Sequence, residues 1–254
     1  MSYTSKTVTT RSDELAFVKK FMDAFAAASD KIVLNTNDID TQFATSTNIP
    51  DLEFTVCTGV KLVLTRSAKL STSTASYIVK LCFSGGTPAT TEKSIAFASA
   101  NTAYGTTAQR SWKVSVAENS GGIHIRLGNY NADMRNPVSS VARVVDILVI
   151  NDGTSIAYGY CPITTSRTSV MSGTFYLSGT EPVAVAPVNR MPYTHSSGTL
   201  VGHLAAKVFT VSGTTDRAFT TSAIEDCSTI GSEQLFFAGG KKYYSIDPYT
   251  LMEV

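Results

Sequence analysis

Apolar residues recur along this chain with two periods, and the longer one occurs once, near the start. Leu15, Val18, Phe21, Met22 and Phe25 repeat at helical spacing, which puts them on one stripe of an amphipathic helix. Ser12 suits an N-cap, Asp13 and Glu14 suit the positive end of a helix dipole, and Ser29-Asp30 ends the run. The spacing predicts a helix over Ser12–Ala28. Before it, Ser2–Arg11 is rich in Thr and Ser and has no apolar stripe. It reads as an extended arm, of a kind that gains order when a neighbouring subunit holds it.

From Ile32 onward the period is two. Val60, Leu62 and Leu64 share one face of a strand, and Tyr77–Phe83 follows a Ser/Thr-rich turn. Trp112, Val114 and Val116 alternate with polar residues, Asn119-Ser120-Gly121-Gly122 turns the chain, and Ile123, Ile125 and Leu127 return. This is the pattern of a half-buried antiparallel pair, with His124 and Arg126 facing solvent. Val141–Ile150 is a longer apolar strand interrupted by Arg143 and Asp146. Asn151-Asp152-Gly153 turns it and Thr154–Cys161 returns; Asp-Gly is a favoured hairpin dipeptide. Further runs lie at Val170–Leu177, Pro182–Val188, Leu204–Val211, Leu235–Phe237 and Lys241–Ile246. Many short strands with turn signals between them predict a mainly β fold, an antiparallel β-sandwich or jelly-roll-like body with one N-terminal amphipathic helix. No βα alternation is visible, which argues against a parallel nucleotide-binding sheet. The texture divides the chain into an arm and helix (1–30), a sandwich body (31–190) and a C-terminal β-unit (191–254) that is either separate or part of the same domain.

Composition narrows the function classes. The chain has 254 residues with a formal net charge of +1, and only 16% of them are charged. Ser and Thr, about a quarter of the chain, take the place of the missing charge. Without clustered positive charge a nucleic-acid partner is not expected. No apolar run is long enough for a membrane span, and Met1–Lys6 lacks the apolar core of a signal peptide. The expectation is a protein made and folded in a cytoplasm. Cys57, Cys82, Cys161 and Cys227 lie far apart with no CxxC pair, so they are expected as free thiols and not as a zinc site.

Little in the sequence points to a reaction. His195 and His203 flank Ser196-Ser197-Gly198, but there is no GxSxG elbow to present a nucleophile. Asn35-Thr36-Asn37-Asp38-Ile39-Asp40 spaces oxygen ligands as a calcium loop does, yet lacks the Gly and distal Glu of an EF-hand. No phosphate-cradling glycine motif occurs. No enzyme activity, cofactor or metal is expected. The remaining candidates are aromatic contacts at Tyr158, Tyr160, Tyr243 and Tyr244, which would stack on sugars or sit in an interface if exposed.

The arm, the single helix and the hydroxyl-rich, short-stranded body resemble accessory virion proteins of tailed bacteriophages, of the tail, baseplate, collar or fibre-attachment type. The ending Leu235-Phe236-Phe237-Ala238-Gly239-Gly240-Lys241-Lys242-Tyr243-Tyr244-Ser245-Ile246 adds to that resemblance. It implies a non-enzymatic structural component of a virion, tail or baseplate associated and assembled in the host cytoplasm, whose partners are other virion subunits and copies of itself. On that reading Leu15, Val18, Phe21, Met22 and Phe25 are assembly contacts. The alternative is a carbohydrate- or receptor-binding β-sandwich module with a glycan receptor.

Overall fold

The computed structural model describes residues 1–10, 14–35, 51–66, 76–83, 93–96, 110–129, 144–163, 174–178, 183–188, 205–211, 217–226, 234–247 and 250–254. Strand β1 (Ser2–Thr10) leads into helix α1 (Glu14–Ala26). Then come β2 (Ile32–Leu34), β3 (Leu52–Val56), β4 (Val60–Arg66), β5 (Ser76–Phe83) and β6 (Lys93–Ala96). The chain continues through β7 (Arg110–Asn119), β8 (Gly122–Asn129), β9 (Val144–Asn151), β10 (Ile156–Ile163), β11 (Thr174–Leu177) and β12 (Val183–Val188). It ends with β13 (Ala205–Val211), β14 (Arg217–Asp226), β15 (Leu235–Ala238), β16 (Lys241–Asp247) and β17 (Thr250–Glu253). Every pairing among the described strands is antiparallel. The protein is mainly β, as the alternating runs predict.

The strands form two sheets. A five-stranded meander runs β2-β3-β4-β5-β6, and a twelve-stranded sheet runs β1-β7-β8-β9-β10-β11-β12-β13-β14-β17-β16-β15. Two cores explain how they stack. Phe54, Val56, Leu62, Leu64, Val79 and Leu81 of the small sheet pack with Val114, Val116, Ile123, Ile125, Ile147 and Val149 from one face of the large sheet. The opposite face of the same strands supplies Ala117, Leu148 and Ile150 to a second core, shared with Phe209, Phe219, Ile224, Tyr244, Ile246 and Met252. The large sheet therefore folds back over itself, and β7–β10 form the middle of three layers. Strand β9 is buried from Val144 to Ile150 on both faces, which explains why it reads as a near-continuous apolar run. Strands on either side of residue 190 pair directly, β12 with β13.

The structure corrects the reading of the N-terminus. Ser2–Thr10 is not a free arm; it is an edge strand paired with β7 along its length, from Ser2↔Glu118 to Thr10↔Arg110. Hydroxyl-rich sequence hides such a strand, because its register rests on main-chain hydrogen bonds and few buried side chains; among its described side chains Val8 joins the first core and Tyr3 packs against the second. The helix stripe is likewise spent inside the chain. Phe21, Met22 and Phe25 are buried against the small sheet and β7, with the Phe25 ring edge-on to Phe54 at 4.7 Å between centroids. They are not available as assembly contacts. The side chains of Leu15 and Val18 lie outside the described set. Lys6 Nζ donates to the Ala27 carbonyl at 2.9 Å, a cation at the negative end of the helix.

Candidate functional site

Hairpin turns of the small sheet and the middle layer converge at one end of the molecule with a bulge in β14 of the outer layer, and together they enclose an open cleft of about 910 Å³. The β7–β8 turn is held by Asn119, whose Oδ1 accepts from the Gly121 amide at 3.0 Å and whose Nδ2 donates to the Ala223 carbonyl at 2.8 Å. Ala223 belongs to a bulge: the register on β13 jumps between Thr221 and Glu225. A Cβ at residue 121 would stand 2.9 Å from that of Ala223, so the bulge docks only against glycine. The β9–β10 turn is an Asx turn, in which Asp152 Oδ1 accepts from Ser155 N at 2.8 Å, Thr154 Oγ1 at 2.9 Å and Thr154 N at 3.0 Å. Burial pushes this carboxyl up, but those donors outweigh it and hold its pKa below the ordinary value. The β3–β4 turn adds Cys57 and Thr58, both left-handed at φ 47° and 37° ahead of Gly59, a conformation uncommon for residues with a Cβ. Glu225, Lys241 and Glu253 close the far wall.

The charges of the cleft are mostly spoken for. Lys241 Nζ meets Glu253 Oε2 at 2.7 Å, and Lys31 Nζ donates to the Asn119 carbonyl. The Met1 ammonium also lines the cleft, and Glu225 Oε2 is closed off from solvent with no hydrogen-bond partner among the described residues, its pKa raised by burial.

A second polar group lies deep between the middle and outer layers. Arg126 and Asp146 are register partners on β8 and β9. Arg126 Nε donates to Asp146 Oδ1 at 2.5 Å and Nη2 to Oδ2 at 2.9 Å, while His124 Nε2 lies 3.0 Å from Oδ1. Arg126 Nη2 also reaches the Ile246 carbonyl at 3.2 Å, which ties the folded-back strand β16 to the middle layer. His124 is fully buried, not solvent-facing as its alternation predicts, because the second half of the large sheet covers what would otherwise be a wet face. Burial alone would raise the Asp146 pKa; the Arg126 guanidinium and the His124 hydrogen bond overcome it and hold the carboxyl below its usual range. This cluster is closed to substrate and serves as a polar rivet between layers.

The tyrosine candidates do not form an exposed platform. Tyr158 and Tyr160 are buried in the first core and Tyr244 in the second, where it stacks on Tyr3 at 4.5 Å; Tyr243 packs with Leu251. Cys57 and Cys82 are free and buried, with the Cys57 thiol pushed up to about 11 by burial. The Cys161 side chain, Cys227, His195, His203 and residues 36–40 of the calcium-like loop lie outside the described residues. Asn35 Nδ2 donates across the sheet to Thr55 Oγ1 at 2.7 Å. Among the described residues no group of three or more His, Cys, Asp or Glu side chains is placed to hold a metal, and no helix is long and apolar enough to cross a membrane. The cleft itself was not foreseen from sequence. Its signal was three turn clusters, at 57–59, 119–122 and 151–153, which only the fold brings to one end. No known protein family, curated protein or solved structure matches the chain.

Proposed function

We propose that this chain is a non-enzymatic structural subunit of a bacteriophage virion, tail or baseplate associated, that works through contacts with copies of itself and with other virion subunits. The observation that carries the reading is the edge strand β15 of the large sheet, which has no further strand beside it among the described residues. Leu235 and Phe237 share a face there, and Phe237 is 78% exposed. Their register partners are Tyr244 and Lys242, so they continue the face of the second core beyond its last covered strand. Tyr3 of β1 stacks on Tyr244 of β16, which places the other end strand of the sheet over β16 and leaves β15 outside it. Isolated proteins blunt such edges with charge, proline or cover; Leu235–Ala238 carries no charge and no proline. An uncovered apolar edge is a surface for joining another chain. The virion setting rests on the resemblance described above.

The test is assembly. Wild-type chain should sediment with a concentration-dependent mass and should be located in purified particles by antibody labelling in electron micrographs. Phe237→Glu should remain monomeric and fail to incorporate, with an unchanged melting temperature. A wild-type chain that stays monomeric and is absent from particles defeats the proposal.

A further inference from the structure

Resting on that assembly reading, we propose that the partner at β15 is a second copy of the chain, joined by antiparallel pairing of β15 with β15 about a two-fold axis at Phe236. The main chain sets this geometry. Gly239-Gly240 turns β15 into β16 with both glycines left-handed, at φ 56° and 77°, so Ala238 and Lys241 flank a two-residue hairpin turn and bond each other. Bonding then alternates along the ladder. The Gln234 carbonyl accepts from the Ser245 amide at 2.9 Å, whereas the Lys242 carbonyl turns away from β15 and accepts from the Val254 amide at 2.9 Å. Gln234, Phe236 and Ala238 therefore face β16 with their main-chain groups. The N–H and C=O of Leu235 and Phe237 point to the outer side, where no further strand lies among the described residues.

A strand pairs antiparallel with its own copy about a two-fold axis normal to the sheet, which keeps the same side chains on the same face. With the axis at Phe236, Leu235 of one copy lies opposite Phe237 of the other, and each such pair exchanges both main-chain hydrogen bonds. An axis at Phe237 would instead set Leu235 against Gly239 of the turn, and one at Leu235 would set Phe237 beyond the start of the strand. Leu235 is 43% exposed and Phe237 78%, and in this register each covers the other. Charge agrees with a second copy as the occupant. Gln234 falls opposite Ala238, and Lys241 beside the strand is held by Glu253 at 2.7 Å, so no like charges meet across the axis. Area sets the strength. Phe237 leaves on the order of 150 Å² to bury, and with Leu235 from both copies the contact stays below the ~1,200 Å² of stable interfaces. The dimer is therefore reversible, and it closes on itself with no edge left at β15.

Sedimentation over a wide concentration range should show wild-type chain in a monomer–dimer equilibrium that stops at the dimer. Leu235→Pro removes an outward N–H and leaves Phe237 and the ladder to β16 in place. It should weaken dimerisation by about tenfold or more with an unchanged melting temperature. Cross-linking reads the register and decides the matter if Leu235→Pro fails to fold. Phe236→Cys sets two thiols across the axis at a Cα separation of about 4.5 Å, within disulfide reach. Mild oxidation should link it into a dimer faster than Leu235→Cys or Phe237→Cys, with wild type giving the background from its own cysteines. A mass that climbs past the dimer, a dimer indifferent to Leu235→Pro, or Phe236→Cys linking no faster than its neighbours overturns the proposal. A chain that is monomeric in solution yet present in particles shows β15 serving a different subunit, which overturns this pairing and leaves the assembly reading standing. A chain that is monomeric and absent from particles defeats both.

Discussion

Asp146 is a fully buried carboxylate whose charge is held by two neighbours. Its two oxygens take bonds from Arg126 and His124. Replacing it by Asn leaves Arg126 buried opposite a neutral amide, and breaking a buried pair from one side costs about 3–5 kcal/mol. Urea unfolding should show that loss at neutral pH. Replacing all three residues together, His124→Leu, Arg126→Met and Asp146→Leu, removes the charges along with their desolvation cost and should destabilise less than Asp146→Asn alone. The pH dependence has a definite sign. Asp146 titrates lower folded than unfolded, so its contribution is complete above the unfolded value of about 4. It is lost as pH falls through the depressed folded value. Wild type should therefore lose stability below pH ~4 more steeply than Asp146→Asn. Cys57 offers a simpler readout. With its pKa pushed up to about 11 and its side chain buried, it should react with a thiol reagent far more slowly in the native state than in denaturant.

Among elements, the N-terminal pair β1 and α1 is where sequence and structure part company. Helical spacing identified the stripe Phe21, Met22 and Phe25, but periodicity shows only that a face is apolar, not what covers it. The small sheet covers it here, through Phe54 and its neighbours. Strand β1 escaped recognition for the opposite reason: apart from Lys6 and Val8 its residues all carry hydroxyls, so neither face reads as apolar, and its order comes from pairing with β7 and from Ser2 Oγ donating to Glu118 Oε1 at 2.9 Å. The hairpins β7–β8 and β9–β10 were legible because Val114, Val116, Ile123 and Ile125 keep strict alternation. Deleting Met1–Ala28 should thus expose the first core and strip the edge from β7. Each large apolar side chain removed is worth about 1.5–3 kcal/mol, against a total stability of about 5–15 kcal/mol. The truncated chain should aggregate or lose its cooperative thermal transition. A soluble, cooperatively melting remainder would show that the helix is dispensable to the fold.

For the molecule as a whole, the middle layer decides how unfolding proceeds. Ile147 and Leu148 are adjacent on β9, yet one belongs to the core shared with the small sheet and the other to the core shared with the folded-back strands. The near-continuous apolar run of β9 signals burial on both faces, but not what covers each; that follows from the large sheet turning over itself far along the chain, which also buries His124 and Tyr244. Losing either core leaves an apolar face of β7–β10 open to water, so neither can melt while the other persists at full strength. We expect one calorimetric transition, with its van't Hoff and calorimetric enthalpies equal. Phe25→Ala in the first core and Phe209→Ala in the second should each cost about 3–5 kcal/mol. Both should move that same transition to lower temperature without splitting it. If Phe209→Ala instead produces a separate low-temperature melt while Phe25→Ala shifts only the higher one, residues beyond β12 form an independent unit and the middle layer does not couple the two cores.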